Sequence, residues 1–499
     1  MSTVLTILHT AGLIFLALMI LNVMILVHEW GHFLAARWRG LKVDKFQIWF
    51  GKPIWSRTWN GVQYGLGWIP AGGFVALPQM APMEAIEGKG DGPSEPLPPI
   101  TPLDKIIVAF AGPLFSFLLA GFFALFVWQV GRPINEPPTP TQIGYIAPDK
   151  PAAQSDLKAG DIIKAIDGKP VHRWHGQVHS VVWGIVSSEN EQIVFTVDRN
   201  GQTLDIPVTP KLVPIDGETE EGEKAKPKGF IGTTLSFIFK RPPLRQVGIG
   251  GRSATLRVDE IMPNSPAAEA GMKEGDVLTA LNGQPFTSFE VLRDHYEQHP
   301  GTPLTLTVLR DGQPVDLSIT PRLPDKPKGA SKAQIGVASL GDPSMRKALL
   351  FQTPREQIGE SLLAMKNLLG AITSKSGISV THMGGPITIV RTYTTILQNP
   401  DAWRWVLWFS VFLNVNLAVM NMLPFPVLDG GHITMALIEW IQRRPINVRV
   451  LEYVQSACVL LVLGFFLMVT LKDVGDVAGS MKDKGEDIEF LPRSSAPAQ

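Results

Sequence analysis

Four long apolar runs organise the chain, at roughly 4–27, 106–130, 405–423 and 454–471. A helix needs about 20 apolar residues to cross the hydrocarbon of a bilayer, so each run is long enough, or nearly so, to span one. The last is short, and the third carries Asn414, Asn416 and Asn421. Amides in hydrocarbon need partners, so these asparagines are expected to face a protein interior. After the first run, Val62–Pro70 and Ala71–Leu77 read as two short strands about a Pro/Gly turn. Residues 81–102, rich in Pro, Gly and Glu, read as a mobile loop. Between the second and third runs lies a polar middle of short β-like runs. It ends in an amphipathic helical pattern, for instance Ile358 to Leu369, and His382–Ile387 then breaks any helix.

The polar middle contains a repeat. Pro148-Asp149-Lys150-Pro151-Ala152-Ala153 matches Pro263-Asn264-Ser265-Pro266-Ala267-Ala268. Gly160-Asp161-Ile162-Ile163 matches Gly275-Asp276-Val277-Leu278, and Asp167-Gly168-Lys169-Pro170 matches Asn282-Gly283-Gln284-Pro285. Later, Val197–Gly201 resembles Val308–Gly312, both with hairpin-turn chemistry. Two copies are too few for a solenoid. The pattern resembles bacterial PDZ domains, which implies two α+β domains at 141–238 and 253–340. Gly229-Phe230-Ile231-Gly232 is expected to close the first, and Gln334-Ile335-Gly336-Val337 the second. PDZ folds hold extended peptides by adding a strand to a sheet edge.

Formal net charge is zero, so there is no bulk electrostatic case for nucleic acid. One cysteine, Cys458, excludes an intrachain disulfide framework. The first run lacks a basic leader and is read as a retained span rather than a signal peptide. Arg37, Arg39, Lys42, Lys45, Lys52 and Arg57 follow it, whereas residues 1–27 have no Lys or Arg. By the positive-inside rule, 36–103 and 425–449 are cytoplasmic. Arg443, Arg444 and Arg449 agree. Both termini and the two repeats are then outside.

The candidate chemistry lies where the first run ends, at His28-Glu29-Trp30-Gly31-His32. On a helix His28 and His32 share one face and can share a zinc ion, with Glu29 beside it as a base. A catalytic zinc usually has three protein ligands, so one is missing. The best candidate is Asp429, in Asn421-Met422-Leu423-Pro424-Phe425-Pro426-Val427-Leu428-Asp429-Gly430-Gly431-His432; His432 competes. Counting spans brings both motifs to the same membrane side. His172, His175 and His179 read as surface residues, and His382 as a loop residue.

Together the two motifs resemble the site-two protease family of intramembrane zinc metalloproteases, most closely the bacterial RseP type with two PDZ domains. The resemblance covers nearly the whole chain. It implies a polytopic α-helical membrane protein with four transmembrane helices, a membrane-associated β-segment and two extracytoplasmic PDZ-like α+β domains. In this reading helix one with its zinc motif is 1–35, helix two 104–131, an amphipathic linker region 341–400, helix three 401–424, helix four 450–472 and the tail 473–499. The resemblance further implies zinc on His28, His32 and Asp429, with Glu29 as general base. It gives Asn421, Gly72, Gly73, Phe74, Pro424 and Pro426 to substrate binding. Ala111-Gly112-Pro113 matches a family motif in span two. The chain departs at Ser116, where Asn is frequent, and at Trp49, where glycine is common; neither position is expected to touch a ligand. Implied partners are single-span membrane proteins, among them anti-sigma factors and remnant signal peptides, together with the lipid bilayer and peptide ligands of the PDZ domains. The implied location is the bacterial inner membrane. The alternative is a membrane-anchored PDZ scaffold with a non-catalytic zinc site. A zinc transporter would instead need ligands at mid-membrane.

Overall fold

The structure is a computed structural model. It describes residues 3–80, 100–136, 139–214, 242–253, 256–299, 301–326, 333–341, 346–444, 448–484 and 488–492. The loop expected at 81–102 lies almost wholly outside them. The chain forms two compact units. One comprises Met1–Pro133, Leu349–Lys366 and Gly384–Val474; the other comprises Ile134–Ala348, Asn367–Met383 and Gly475–Gln499.

The first unit is built on helix α1 (Thr3–Trp38), strands β1 (Lys45–Trp59) and β2 (Val62–Ala76), and helix α2 (Pro102–Val130). Helices α3 (Pro354–Thr373), α4 (Pro386–Leu397), α5 (Ala402–Asn421), α6 (Asp429–Gln442) and α7 (Val448–Lys484) follow, with 367–373 of α3 and 475–484 of α7 counted in the second unit. Val4–Trp38, Pro102–Val130, Ala402–Asn421 and Tyr453–Val477 are long and apolar enough to cross a membrane. Helix α1 does not stop with its apolar run at 27. No Pro or Gly-rich turn interrupts it before Gly40, so it extends about 54 Å at 1.5 Å per residue. That exceeds a hydrocarbon core of about 30 Å. The same holds for α7, which continues past 472 into polar sequence.

Small residues let these helices pack closely. A Cβ on Gly31 of α1 would stand 2.4 Å from the Ala111 carbonyl oxygen of α2. Ala120 and Ala124 of α2 form a core with Val411 and Val415 of α5, the small-residue packing that apolar helices favour in lipid. Thr101 caps α2: its Oγ accepts from the Asp104 N–H, and the Asp104 carboxylate accepts from the Thr101 N–H. Asp104 also accepts from Arg39 at 2.7 Å, which ties the end of α1 to the start of α2. Asn414 is fully buried, and its amide N–H donates to Ser410 O at 2.8 Å.

Strands β1 and β2 are each bent. Lys45–Ile48 is flanked on one side by Gln63–Leu66 and on the other by Gly73–Ala76, and Pro53–Trp59 pairs with Val62–Gly67. The two segments expected to pair with each other are therefore separated by a third, Lys45–Ile48. Asn60 and Gly61, both at positive φ, make the turn that brings β2 back along β1, and Asn-Gly is a strong hairpin signal. Gly72 bends β2 at φ +74; a Cβ there would strike the Phe50 ring. Trp49 also has positive φ, a region that favours glycine.

The second unit contains two β-units with one plan. The first has β3 (Ile143–Ile146), β4 (Ile162–Ile166), β5 (Ile193–Arg199), β6 (Gln202–Val208) and β7 (Ile249–Gly251). The second has β8 (Leu256–Ile261), β9 (Val277–Leu281), β10 (Leu304–Arg310), β11 (Gln313–Ile319) and β12 (Val337–Gly341). In the second the strand order is β11-β10-β9-β8-β12; in the first β6-β5-β4 runs in the matching order and β3 pairs with β7. The repeat places equivalent side chains in each core. Ile163, Ile166, Ile193, Phe195 and Val197 correspond to Leu278, Leu281, Leu304, Leu306 and Val308, all buried. Arg199 pairs with buried Asp161 and Arg310 with buried Asp276, at 2.7 and 2.6 Å.

Residues 229–232, expected to close the first β-unit, lie outside the described residues; among the described ones, 246–249 takes the closing position. Val247 O accepts from Ala152 N–H at 2.8 Å and Gly248 O from Ala147 N–H at 2.9 Å. In the second β-unit Ile335 O and Gly336 O accept equivalent bonds from Ala267 and Met262. Buried Val247 fills the place of Ile335. Gln246-Val247-Gly248-Ile249 thus repeats Gln334-Ile335-Gly336-Val337, and both glycines have φ +80.

This register is testable. A Cβ on Gly248 would lie 2.1 Å from Lys150 Cβ. With the left-handed backbone added, Gly248→Val is expected to destabilise the first β-unit by at least about 2 kcal/mol. Limited proteolysis of the purified chain should then cleave it faster. Wild-type resistance would return the closing role to 229–232.

Candidate metal centre

Helix geometry sets the first two donors. His28 and His32 lie one turn apart on α1, their rings edge to face with centroids 4.9 Å apart. Their Nε2 atoms are 3.2 Å from each other. The third donor arrives from more than 390 residues away. Asp429 opens α6 after a tight connection from α5. A Cβ on Gly430 would stand 2.2 Å from Met422 O, and one on Gly431 2.1 Å from Phe425 O. Only glycine at these two positions lets the helix start fold back against Met422–Pro426, which delivers Asp429 inward. Pro424 and Pro426 belong to this connection and do not join the donors.

Asp429 Oδ2 lies 3.2 Å from His28 Nε2, and Oδ1 lies 3.3 Å from His32 Nε2. Zinc–nitrogen and zinc–oxygen bonds of about 2.0–2.1 Å place the corners of a tetrahedron about 3.3–3.4 Å apart. One donor atom from each of the three residues lies within 4.8 Å of the others, close enough for one ion to be shared. They form the one such His/Cys/Asp/Glu group among the described residues. His432, the competing candidate, lines the same small cavity but is not among the converging atoms. Burial holds its imidazole below the usual range.

The far side of each ring is also held. His32 Nδ1 donates to Val108 O at 2.8 Å, which leaves its Nε2 lone pair free for the centre. His28 Nδ1 lies 3.0 Å from the fully buried Ser116 Oγ. Ser116 therefore does touch a candidate ligand, against expectation; a short hydroxyl occupies a position where the resembled family often has an amide. Gly112 is the other residue that sequence reasoning left without a role. A Cβ there would lie 2.2 Å from His32 Nε2 and 2.8 Å from His28 Nε2. Its motif, Ala111-Gly112-Pro113, was the available signal.

Asn421, the last residue of α5, has its Nδ2 3.3 Å from His28 Nε2. Glu29 lines the cavity with His32, Val75, Asp429 and His432. Gly73 is adjacent: a Cβ on it would stand 3.8 Å from Glu29 Cγ. Gly73 and Phe74 lie on the segment of β2 that pairs on one edge with Lys45–Ile48. No strand borders the other edge among the described residues. In the second unit the His172 and His179 rings are 5.5 Å apart without joining a metal-ligand group. His382 lies in a short turn, with Nδ1 accepting from the Ser379 N–H.

Comparison with known proteins agrees with this geometry. The model of peptidase family M50 matches residues 16–465. The chain is 26% identical over 473 residues to the regulator of sigma-E protease RseP of Escherichia coli, covering 90% of this chain and 95% of that protein. It is 28% identical over 474 residues to the regulator of sigma E protease of Salmonella typhi, with the same coverage. A Vibrio cholerae protein whose name carries the words zinc metalloprotease is 28% identical over 467 residues, covering 87% of this chain and 91% of that protein.

A methyl at Gly112 would displace both imidazoles. Gly112→Ala is expected to weaken zinc retention by at least about tenfold, with a smaller loss for Ser116→Ala, as for supporting shells elsewhere. Zinc quantified after dialysis against a graded chelator checks this. Wild-type retention in Gly112→Ala would mean that the two rings do not converge on one ion.

Proposed function

The chain belongs to peptidase family M50 and is a zinc metalloendopeptidase, and we propose that it hydrolyses peptide bonds in or near the membrane segments of single-span proteins. The observation that carries this reading is the gathering of three donors around one cavity shared with Glu29, where His28, Glu29 and His32 lie on a helix apolar enough to span a membrane. His28, His32 and Asp429 would hold the zinc. When bound, zinc polarises the scissile carbonyl and makes water a stronger acid. Glu29 takes the proton from the attacking water and passes it to the leaving amine. Asn421, beside His28, holds the substrate backbone.

A helical substrate hides its peptide bonds in internal hydrogen bonds. The unpaired edge at Gly72-Gly73-Phe74 would accept an unwound segment as an added strand. Gly73 has no side chain to keep that segment from Glu29. Pro424 and Pro426 would border the substrate from the turn that carries Asp429. In this reading the protein lies in the bacterial inner membrane, with the site near the cytoplasmic face and both termini outside. The two β-units are PDZ-like extracytoplasmic domains that exclude substrates with bulky outer domains, so that an earlier cut is required. Anti-sigma factors and remnant signal peptides fit that requirement. A scaffold with a structural zinc would call for a fourth protein ligand and has no use for Glu29.

Glu29→Gln is expected to keep its zinc and to lower cleavage of a single-span test substrate at least about 100-fold. Metal analysis alongside a gel assay in detergent reads both; turnover near wild type would remove Glu29 from the chemistry. Deleting 141–340 should permit cleavage of substrates that retain their outer domain. Unchanged selectivity in that variant would sink the filter.

A further inference from the structure

The observation lies in the last described residues. Ile488–Pro492 runs along the loop that joins β11 to β12 of the second β-unit. Glu489 forms an antiparallel bridge with Lys326. Its carbonyl accepts from the N–H groups of Asp325 at 2.9 Å and Lys326 at 3.2 Å, and its own N–H donates to Lys326 O at 3.2 Å. The Leu491 N–H donates to Asp325 Oδ2 at 2.8 Å. The Glu489 carboxylate pairs with the Lys326 ammonium. Between two exposed neighbours, Phe490 is only 1% exposed and is among the largest fully buried side chains. This is strand addition with one aromatic anchor and one matched charge.

The pocket is built by residues outside the tail. Arg322 lies 5.0 Å from the centre of the Phe490 ring, a cation–π contact. It is fixed by Asp325 at 3.1 Å, Glu269 at 3.3 Å and Asn264 O at 2.6 Å. Gly336 leaves the ring its space: a Cβ there would lie 3.0 Å from Phe490 Cε2. The edge of β12 is not used, since its sheet partner is β8 and the tail bonds to the preceding loop.

We propose that Arg322–Lys326, the described segment that follows β11, is a recognition site for an acidic–aromatic strand, and that residues 488–491 of this chain are its built-in ligand. One ring and a few main-chain bonds make a weak ligand by themselves. The covalent tether supplies an effective concentration in roughly the millimolar range, so the site stays closed to other peptides of this chemistry while the tail is docked. This inference does not depend on the proposed protease mechanism or on the PDZ reading.

The test uses the detergent-purified full chain, a chain ending at Asp487, and full-length Phe490→Ala. The probe is a fluorescein-labelled peptide of residues 487–492, Asp-Ile-Glu-Phe-Leu-Pro, read by anisotropy, beside the same peptide with Ala for Phe. Both altered chains should bind the native peptide at least about tenfold tighter than wild type. The Ala peptide should bind at least about tenfold more weakly, and Arg322→Ala in the shortened chain should abolish the gain. Phe490→Ala keeps the full length, so it reads the site even if shortening disturbs folding. Equal binding by all three chains, no saturable binding to Phe490→Ala, or equal binding of both peptides would overturn the proposal.

Discussion

Everything in the first unit that bears on chemistry depends on bringing donors from His28, His32 and Asp429 within 4.8 Å of one another in an apolar surrounding, close enough to share one ion. Unshielded, such a cluster of buried polar atoms would be unfavourable. The chain meets this with missing side chains. Gly31 and Gly112 let α2 lie close against α1 and its two imidazoles, and Gly430 and Gly431 let the start of α6 fold back on Met422–Pro426. Ser116 and Val108 then hold the rings from behind.

The β1–β2 sheet follows from the same constraint. Its segment Gly73–Ala76 lies beside Glu29 because the core of Ala35, Ala36, Val62, Val75, Val108 and Ala111 binds sheet and helices into one body. A sheet edge next to Glu29, on a helix apolar enough to cross a membrane, is unusual, because unpaired backbone groups in hydrocarbon are costly. It is tolerable where protein or water covers it, and a peptide in extended form would satisfy it.

The second unit solves a different problem, with two cores of the same design. Each inserts matched aliphatic residues from equivalent strands, and each closes with a glycine at φ +80 that presses against the start of its short Pro-Ala-Ala helical turn. In the second β-unit that closing glycine also makes room for Phe490. A left-handed position that glycine adopts readily serves the fold and thereby shapes a pocket.

What the sequence by itself determined was local or self-similar. The four apolar runs, the one-turn spacing of His28 and His32, and the repeat with its Asp-Gly and Asn-Gly turns follow from composition and backbone periodicity, which neighbouring residues encode. The choice between Asp429 and His432 was open, because donor type permits either; only the turn built by Gly430 and Gly431 aims Asp429 at the two imidazoles. Helix one, expected over 1–35, runs to Trp38, and helix four, expected to end at 472, runs to Lys484, since an apolar run marks the lipid and nothing local stops a helix at its end. The sequence left the closing strand of the first β-unit open, because a Gly-aliphatic pattern occurs both at 229–232 and at 246–249. Which one pairs with β3 is a matter of long-range packing. The same is true of the Lys45–Ile48 segment between the halves of β2, of Gly112 under the imidazoles, and of Phe490 in its pocket. Each depends on which surfaces meet across hundreds of residues, and no window of neighbouring residues carries that.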